Sequence, residues 1–199
     1  MRPEAERLAD RFLEVIETDI LPLTEAGVAA GNKVFGAAIL KKSDYSLVVA
    51  ASNQERTNPL FHGEVAALNA FYRLPDARRP ATADCLFLAT HEPCSLCLSA
   101  ITWAGFDNFT YLFPYEVTRD AFAIPHDLAI LKEVFGIKDG AYRGTNTFWT
   151  ATALVELIDA SSDDAQVAFA ERVARIKDAY QRLSGAYQAE KSGSGIALS

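Results

Sequence analysis

The sequence predicts an α/β fold, a sheet covered by helices, and three observations carry that prediction. Short runs of β-branched and apolar residues alternate with segments whose apolar residues recur at helical spacing. Gly, Pro and Asn punctuate the boundaries between the two kinds of segment. Half of the 199 residues are hydrophobic, enough to build a full core and too many for a disordered chain. The length fits one domain with an extension.

Residues 4–19 open the chain as an amphipathic helix, with Leu8, Phe12, Val15 and Ile16 on one face. Leu21-Pro22 is expected to break it, and a second helix to follow as far as Ala30. Gly31-Asn32 marks a turn. Val34 to Leu40 and Leu47 to Ala51 read as strands, with the hairpin turn between them over Lys41 to Ser46. Asn53 to Pro59 is loop-like. A helix opens near His62, carries Val65, Leu68 and Phe71, and stops before Pro75. Cys85 to Ala89 reads as a buried strand, Cys94 to Ala104 as a helix and Phe109 to Phe113 as another strand. Pro114 to Pro125 is mixed, and Asp127 to Phe135 is helical. Phe148 to Ile158 and Ala165 to Tyr187 read as two further helices, and Ser192 to Gly195 as a loose tail. These readings place one domain over residues 1–145 and a C-terminal helical extension with a flexible tail over residues 146–199.

The net charge of −7 argues against broad contact with polyanions and favours a small ligand. The three cysteines, Cys85, Cys94 and Cys97, leave no disulfide framework, which suits a reducing cytoplasm. The first six residues are polar and acidic, unlike a signal peptide, and no apolar run is long enough to span a bilayer.

Five residues concentrate the chemistry. His62 and Glu64 lie in Phe-His-Gly-Glu-Val, and Pro93, Cys94 and Cys97 in Glu-Pro-Cys-Ser-Leu-Cys, with 29 residues between Glu64 and Cys94. One imidazole and two thiols supply three zinc ligands, one short of a closed tetrahedral site, so a fourth position is left for water. Both ligand segments are expected to open helices, whose N-terminal partial positive charge favours thiolates. Cys94 and Cys97, at i and i+3, share a helical face and can reach one ion. His62 and Glu64, at i and i+2, do not share a face, which fits a ligand with a carboxylate beside it. Glu64 is placed to take a proton from the bound water, because two thiolates leave the zinc a weaker acidifier of water than three imidazoles would.

The motif resembles that of the cytidine-deaminase-like superfamily, in its branch of free-base and tRNA deaminases, over roughly residues 31–136. Val34-Phe35-Gly36-Ala37 is similar to the Pro-Phe-Gly-Ala strand of that branch. Ala51-Ser52-Asn53 resembles the strand end whose Asn contacts the base. Ala100-Ile101-Thr102-Trp103-Ala104 resembles a helix of bacterial guanine deaminases, and His-Gly-Glu looks more like fungal cytosine deaminase. The resemblance implies a three-layer α/β/α fold with a mixed five-stranded sheet, one zinc per chain and a homodimer. It implies hydrolytic deamination of an amino-substituted base, guanine first and cytosine second. His62, Cys94 and Cys97 would bind the metal, Glu64 would move protons, Asn53 would hold the base edge and Phe35 would pack on its ring. Glu116 and Asp120 lie where guanine deaminases place further acids, and read here as surface charge.

Two other readings share the motif. A tRNA-editing deaminase needs a basic groove, and no Lys/Arg cluster lies near the motif. A non-catalytic zinc-stabilised binding module needs a fourth ligand. Cys85 reads as strand core, His91 as a loop histidine at the end of that strand, and His126 as surface, with lining a pocket as its alternative. A redox Cys-x-x-Cys pair requires neither His62 nor Glu64.

Overall fold

The computed structural model describes residues 4–191. Five strands form one mixed sheet in the order β2-β1-β3-β4-β5. They are β1 (Gly36–Lys41), β2 (Leu47–Ser52), β3 (Cys85–His91), β4 (Asn108–Phe113) and β5 (Thr150–Ala153). β1 runs antiparallel to both β2 and β3, while β3, β4 and β5 are parallel. The fold is the expected three-layer α/β/α arrangement.

Alternation along β1 shows how the layers arise. Ala38 and Leu40 face one core, with Phe12, Ile16 and Tyr180, while Ala37 and Ile39 face the other, with Ala67, Phe71 and Ile101. The first layer holds α1 (Glu4–Val15), α2 (Leu21–Ala29), α7 (Leu154–Asp159) and α8 (Asp163–Glu190). The second holds α3 (Gly63–Tyr72) and α4 (Ser95–Ala104). Two further helices, α5 (Tyr115–Phe122) and α6 (His126–Phe135), follow β4.

Three expectations need correction. Pro22 does not break the first helix, because a π-helical turn over Ile16–Ile20 joins α1 to α2 without interruption. Pro22 then falls in the first turn of α2, where a missing N–H and a fixed φ are tolerated. The stretch after Pro114 forms the regular helix α5. Residues 148–158 are not one helix: Thr150–Ala153 is strand β5, followed by α7. Phe148, Trp149, Ala151 and Leu154 mimic helical spacing, but the outer edge of β4 would otherwise leave backbone groups unpaired. β5 meets that need, pairing Asn108 with Thr150 and Tyr111 with Ala153. The boundary expected at residue 145 therefore runs between two strands of one sheet. The tail expected over residues 192–195 lies outside the described residues.

Candidate metal centre

Two helix N-termini bring the donor groups together. His62 is the N-cap of α3 and Cys94 the N-cap of α4, both with extended backbone. Their carbonyls accept the first helical hydrogen bonds, from Ala66 N and Leu98 N, each at 2.8 Å. Neither side chain caps its own helix, so both are left for another task. Cys97 lies one turn into α4, beside Cys94. Pro93 fixes the entry to that turn and needs no donor there.

Gly63 explains the His-Gly-Glu spelling. A Cβ on it would lie 2.7 Å from Phe35 O and 2.8 Å from Gly36 Cα and N, closer than packed atoms come. The start of α3 therefore presses directly on the backbone leading into β1, and only glycine fits.

His62 Nδ1 lies 3.4 Å from Cys94 Sγ and 3.7 Å from Cys97 Sγ, and the two sulfurs are 3.6 Å apart. A tetrahedral zinc with ordinary Zn–S and Zn–N bonds sets such edges at about 3.5–3.8 Å. The three atoms thus already span one face of a zinc tetrahedron. Among the described residues, this trio is the one group of His, Cys, Asp and Glu whose ligand atoms lie within 4.8 Å of one another. His62, Cys94 and Cys97 are positioned to bind a metal ion, and among the described residues no fourth His, Cys, Asp or Glu joins the group.

The charges around this trio are strongly coupled. Burial pulls the His62 pKa down, but its hydrogen bond to Cys94 and the negative charges of Cys94, Glu64 and Asp127 raise it to about 9. A ligating imidazole must be neutral, so a metal cation would take the place of that proton. Cys94 is held well below the usual thiol range, chiefly by its hydrogen bond from Cys97, whose own thiol burial pushes upward. The Cys94 sulfur is thus the readier of the two to lose its proton.

Glu64 is buried in the first turn of α3, with Oε2 3.3 Å from Cys97 Sγ. Burial, reinforced by the Cys94 charge, pushes its carboxyl up to about 7. Glu64, Phe35, Glu92 and Asp127 share a small recess with His62 and Cys94. It adjoins a larger cavity of about 250 Å³.

Phe35 lines both spaces and lies nearly parallel to the His62 ring, at 17° and 6.4 Å between centroids. Asn53 is fully buried, and its Oδ1 accepts hydrogen bonds from Lys33 N and Glu55 N. Those are loop-capping bonds, yet its Nδ2 is buried without a hydrogen-bond partner. Lys33 and Glu55 form an ion pair at 3.1 Å on the wall of the larger cavity.

Glu116 and Asp120 are exposed, as surface charges are. Cys85 is strand core. His91 ends its strand, β3, as expected and is no metal ligand, but it is fully buried among Phe35, Phe113, Phe122 and Tyr180 rather than a loop histidine. His126 lines the larger cavity rather than open surface. The acid that the sequence did not single out is Asp127. Burial, with the charges of Cys94 and Glu64, raises its pKa to about 8. Its sole signal was its place in the first turn of a helix that follows a proline.

An α/β/α sandwich with an imidazole and two thiolates at paired helix N-termini, and a carboxyl beside them, defines a zinc hydrolase acting on C–N bonds. Residues 15–113 match the family described as the cytidine and deoxycytidylate deaminase zinc-binding region. The chain belongs to the cytidine-deaminase-like zinc deaminases. Guanine deaminase from Bacillus subtilis is 28% identical, with a TM-score of 0.50 over 67% of this chain and 86% of that one. A mutant of the protein NE0047 in complex with 8-azaguanine is 20% identical, with a TM-score of 0.52 over 89% of this chain and 84% of that one. NE0047 in complex with 2,6-diaminopurine is 21% identical, with a TM-score of 0.50 over 87% and 80%. No curated protein matches the chain. Among the described residues, no helix is long and apolar enough to cross a membrane.

Proposed function

We propose that this enzyme hydrolyses the exocyclic amino group of a free heterocyclic base, guanine first and cytosine second, releasing ammonia. The observation that carries the reading is the carboxyl of Glu64, buried in the recess beside the three donor atoms. Zinc held by His62, Cys94 and Cys97 supplies a Lewis acid that makes water nucleophilic near neutral pH.

Glu64 is the proton carrier. A carboxyl raised by burial both accepts and releases protons near neutrality, and a zinc cation alongside draws its pKa back down. It would accept a proton from water and deliver it to the ring nitrogen, then take the second proton from the hydroxyl newly bonded to the base carbon and deliver that one to the departing amine, leaving a carbonyl and ammonia. Phe35 offers a flat apolar wall for the ring. The partnerless Nδ2 of Asn53, buried behind the cavity-lining Lys33 and Glu55, would be the donor for a base carbonyl or ring nitrogen. Asp127 supports guanine over cytosine, because guanine sets an amino group beside a ring N–H and a carboxyl can meet both. The similarity to the Bacillus subtilis guanine deaminase agrees with that choice. We also propose a small-molecule partner, a cytoplasmic setting in keeping with three free cysteines, and a homodimeric state by resemblance to the family. In the same proposal residues 1–145 carry the chemistry, and the remainder supplies β5 and the covering helices.

The test is ammonia release from guanine, cytosine, adenine, their nucleosides, aminated triazines and pterins, with Glu64→Ala as the blank. Turnover of guanine that is silent in the variant is the expected result. Silence on every base in zinc-loaded protein overturns the reading.

A further inference from the structure

The Cys-x-x-Cys turn is held from outside by a helix that contributes no ligand. Tyr115, the first residue of α5, donates its hydroxyl to the carbonyl of Pro93 at 2.5 Å, and both groups are buried. Pro93 immediately precedes Cys94, so this bond grips the peptide that aims the Cys94 side chain. The backbone N–H of Tyr115 in turn donates to Glu92 Oε2 at 3.0 Å. The backbone N–H of Glu92 donates to Phe113 O at 2.8 Å. Tyr115 and Glu92-Pro93 are thus joined at both ends, side chain to backbone in each direction.

The grip is itself buttressed. The Tyr142 ring packs edge-on to Tyr115 at 6.1 Å and to Trp149 at 6.0 Å. Trp149 Nε1 donates to Thr102 Oγ1, in α4, at 2.7 Å. The chain of contacts leaves the ligand helix at Thr102, passes through Trp149, Tyr142 and Tyr115, and returns to it at Pro93. Gly140 sits under the Tyr115 ring, where a Cβ would come within 2.6 Å of Cδ2. None of these residues belongs to the ligand trio of His62, Cys94 and Cys97.

We infer that Tyr115 and Glu92 form a clamp that presets the Cys94–Cys97 turn for its metal ion, making Tyr115 a positioning residue for the zinc. A proline carbonyl at the entry to a helix has no partner within that helix, so an outside donor decides its direction. Fixing that peptide fixes where Cys94 Sγ sits relative to Cys97 Sγ and His62 Nδ1, now within 3.4–3.7 Å of one another. Removing outer partners that orient metal ligands weakens metal binding by about 10- to 100-fold.

The experiment measures zinc affinity by competition with a chromophoric chelator, and the thiolate-to-metal charge-transfer bands of the cobalt(II) form. It compares the wild-type chain, Tyr115→Phe, Glu92→Ala and Glu92→Gln. Tyr115→Phe and Glu92→Ala are expected to bind zinc about 10-fold or more weakly, with shifted cobalt bands. Glu92→Gln keeps an oxygen for the Tyr115 N–H and is expected to stay close to wild type. Melting of the metal-free proteins separates a positioning role from general destabilisation, because it should move little. Wild-type affinity and unshifted bands in Tyr115→Phe overturn the clamp. Should that variant not fold, equal weakening in Glu92→Ala and Glu92→Gln overturns it instead.

Discussion

The two helices that carry the ligands are fixed by opposite means. The start of α3 is held by contact: Gly63 lets it press on the backbone of Phe35 and Gly36, with no room for a methyl group. The start of α4 is held by hydrogen bonds, reaching the Pro93 carbonyl and Glu92 from α5. Ser95 occupies in α4 the place that Gly63 occupies in α3, the first residue after the ligand at the N-cap. It is half-buried and meets no such constraint. A steric seat tolerates no added atom, whereas a hydrogen-bonded seat tolerates size but requires its donors and acceptors. One site can therefore fail in two chemically distinct ways.

The largest effects come from breaking both seats at the metal itself. His62→Ala and Cys97→Ser each remove one of three ligands, and metal analysis of the purified proteins should find less than one zinc per chain, with no deaminase activity. Glu64→Gln should keep its zinc and lose about 10²- to 10⁴-fold in turnover, the usual worth of a positioned acid/base. Loss of zinc from that variant would make Glu64 a structural partner of Cys97 instead.

The strand that delivers the cysteines should respond to acid. His91 is fully buried, and burial draws its pKa down to about 3. The unfolded chain therefore takes up a proton near pH 6.5 that the folded chain refuses until near pH 3. Stability is at its full value above pH 6.5 and falls below it, by about 1.4 kcal/mol per pH unit from this group. Urea unfolding at pH 7 and pH 5.5 measures the slope, and His91→Leu should flatten it.

Gly63→Ala tests the steric seat, with an expected loss of about 1–3 kcal/mol from overpacking. Ser95→Ala, its counterpart, should stay within about 0.5 kcal/mol. Similar losses in the two variants, read from unfolding midpoints, would erase the contrast between the helices. Thr102→Val falls between the two, because it leaves Trp149 Nε1 without its acceptor and should cost about 1 kcal/mol.

The parts of the site legible in the sequence are those where residue type and spacing carry the chemistry. His62, Cys94 and Cys97 are rare residue types at diagnostic separations, and the helix starts beside them follow from Pro93 and the apolar pattern. What stayed hidden depends on distant partners. Thr150–Ala153 becomes a strand because β4 has an open edge, which no local pattern of those four residues reveals. Asp127 resembles any acid in the first turn of a helix, and becomes part of the recess only once α6 folds over α4. Pro22 reads as a breaker because a widened helical turn leaves no mark in composition.

The ends of the described chain are stitched together. Glu6 Oε2 accepts hydrogen bonds from Ser162 N and Oγ at the start of α8, and Arg172 reaches both Asp10 and Glu17. Each of these links spans more than 150 residues. During synthesis α1 leaves the ribosome long before α8 exists. Its apolar stripe, Phe12 and Ile16 among it, must wait for its final cover until more than 150 further residues have been made. The zinc ligands emerge well before that cover. A nascent chain can hold every metal-binding side chain while its opening helix still lacks its final cover, and apolar surface left open in that interval is open to aggregation.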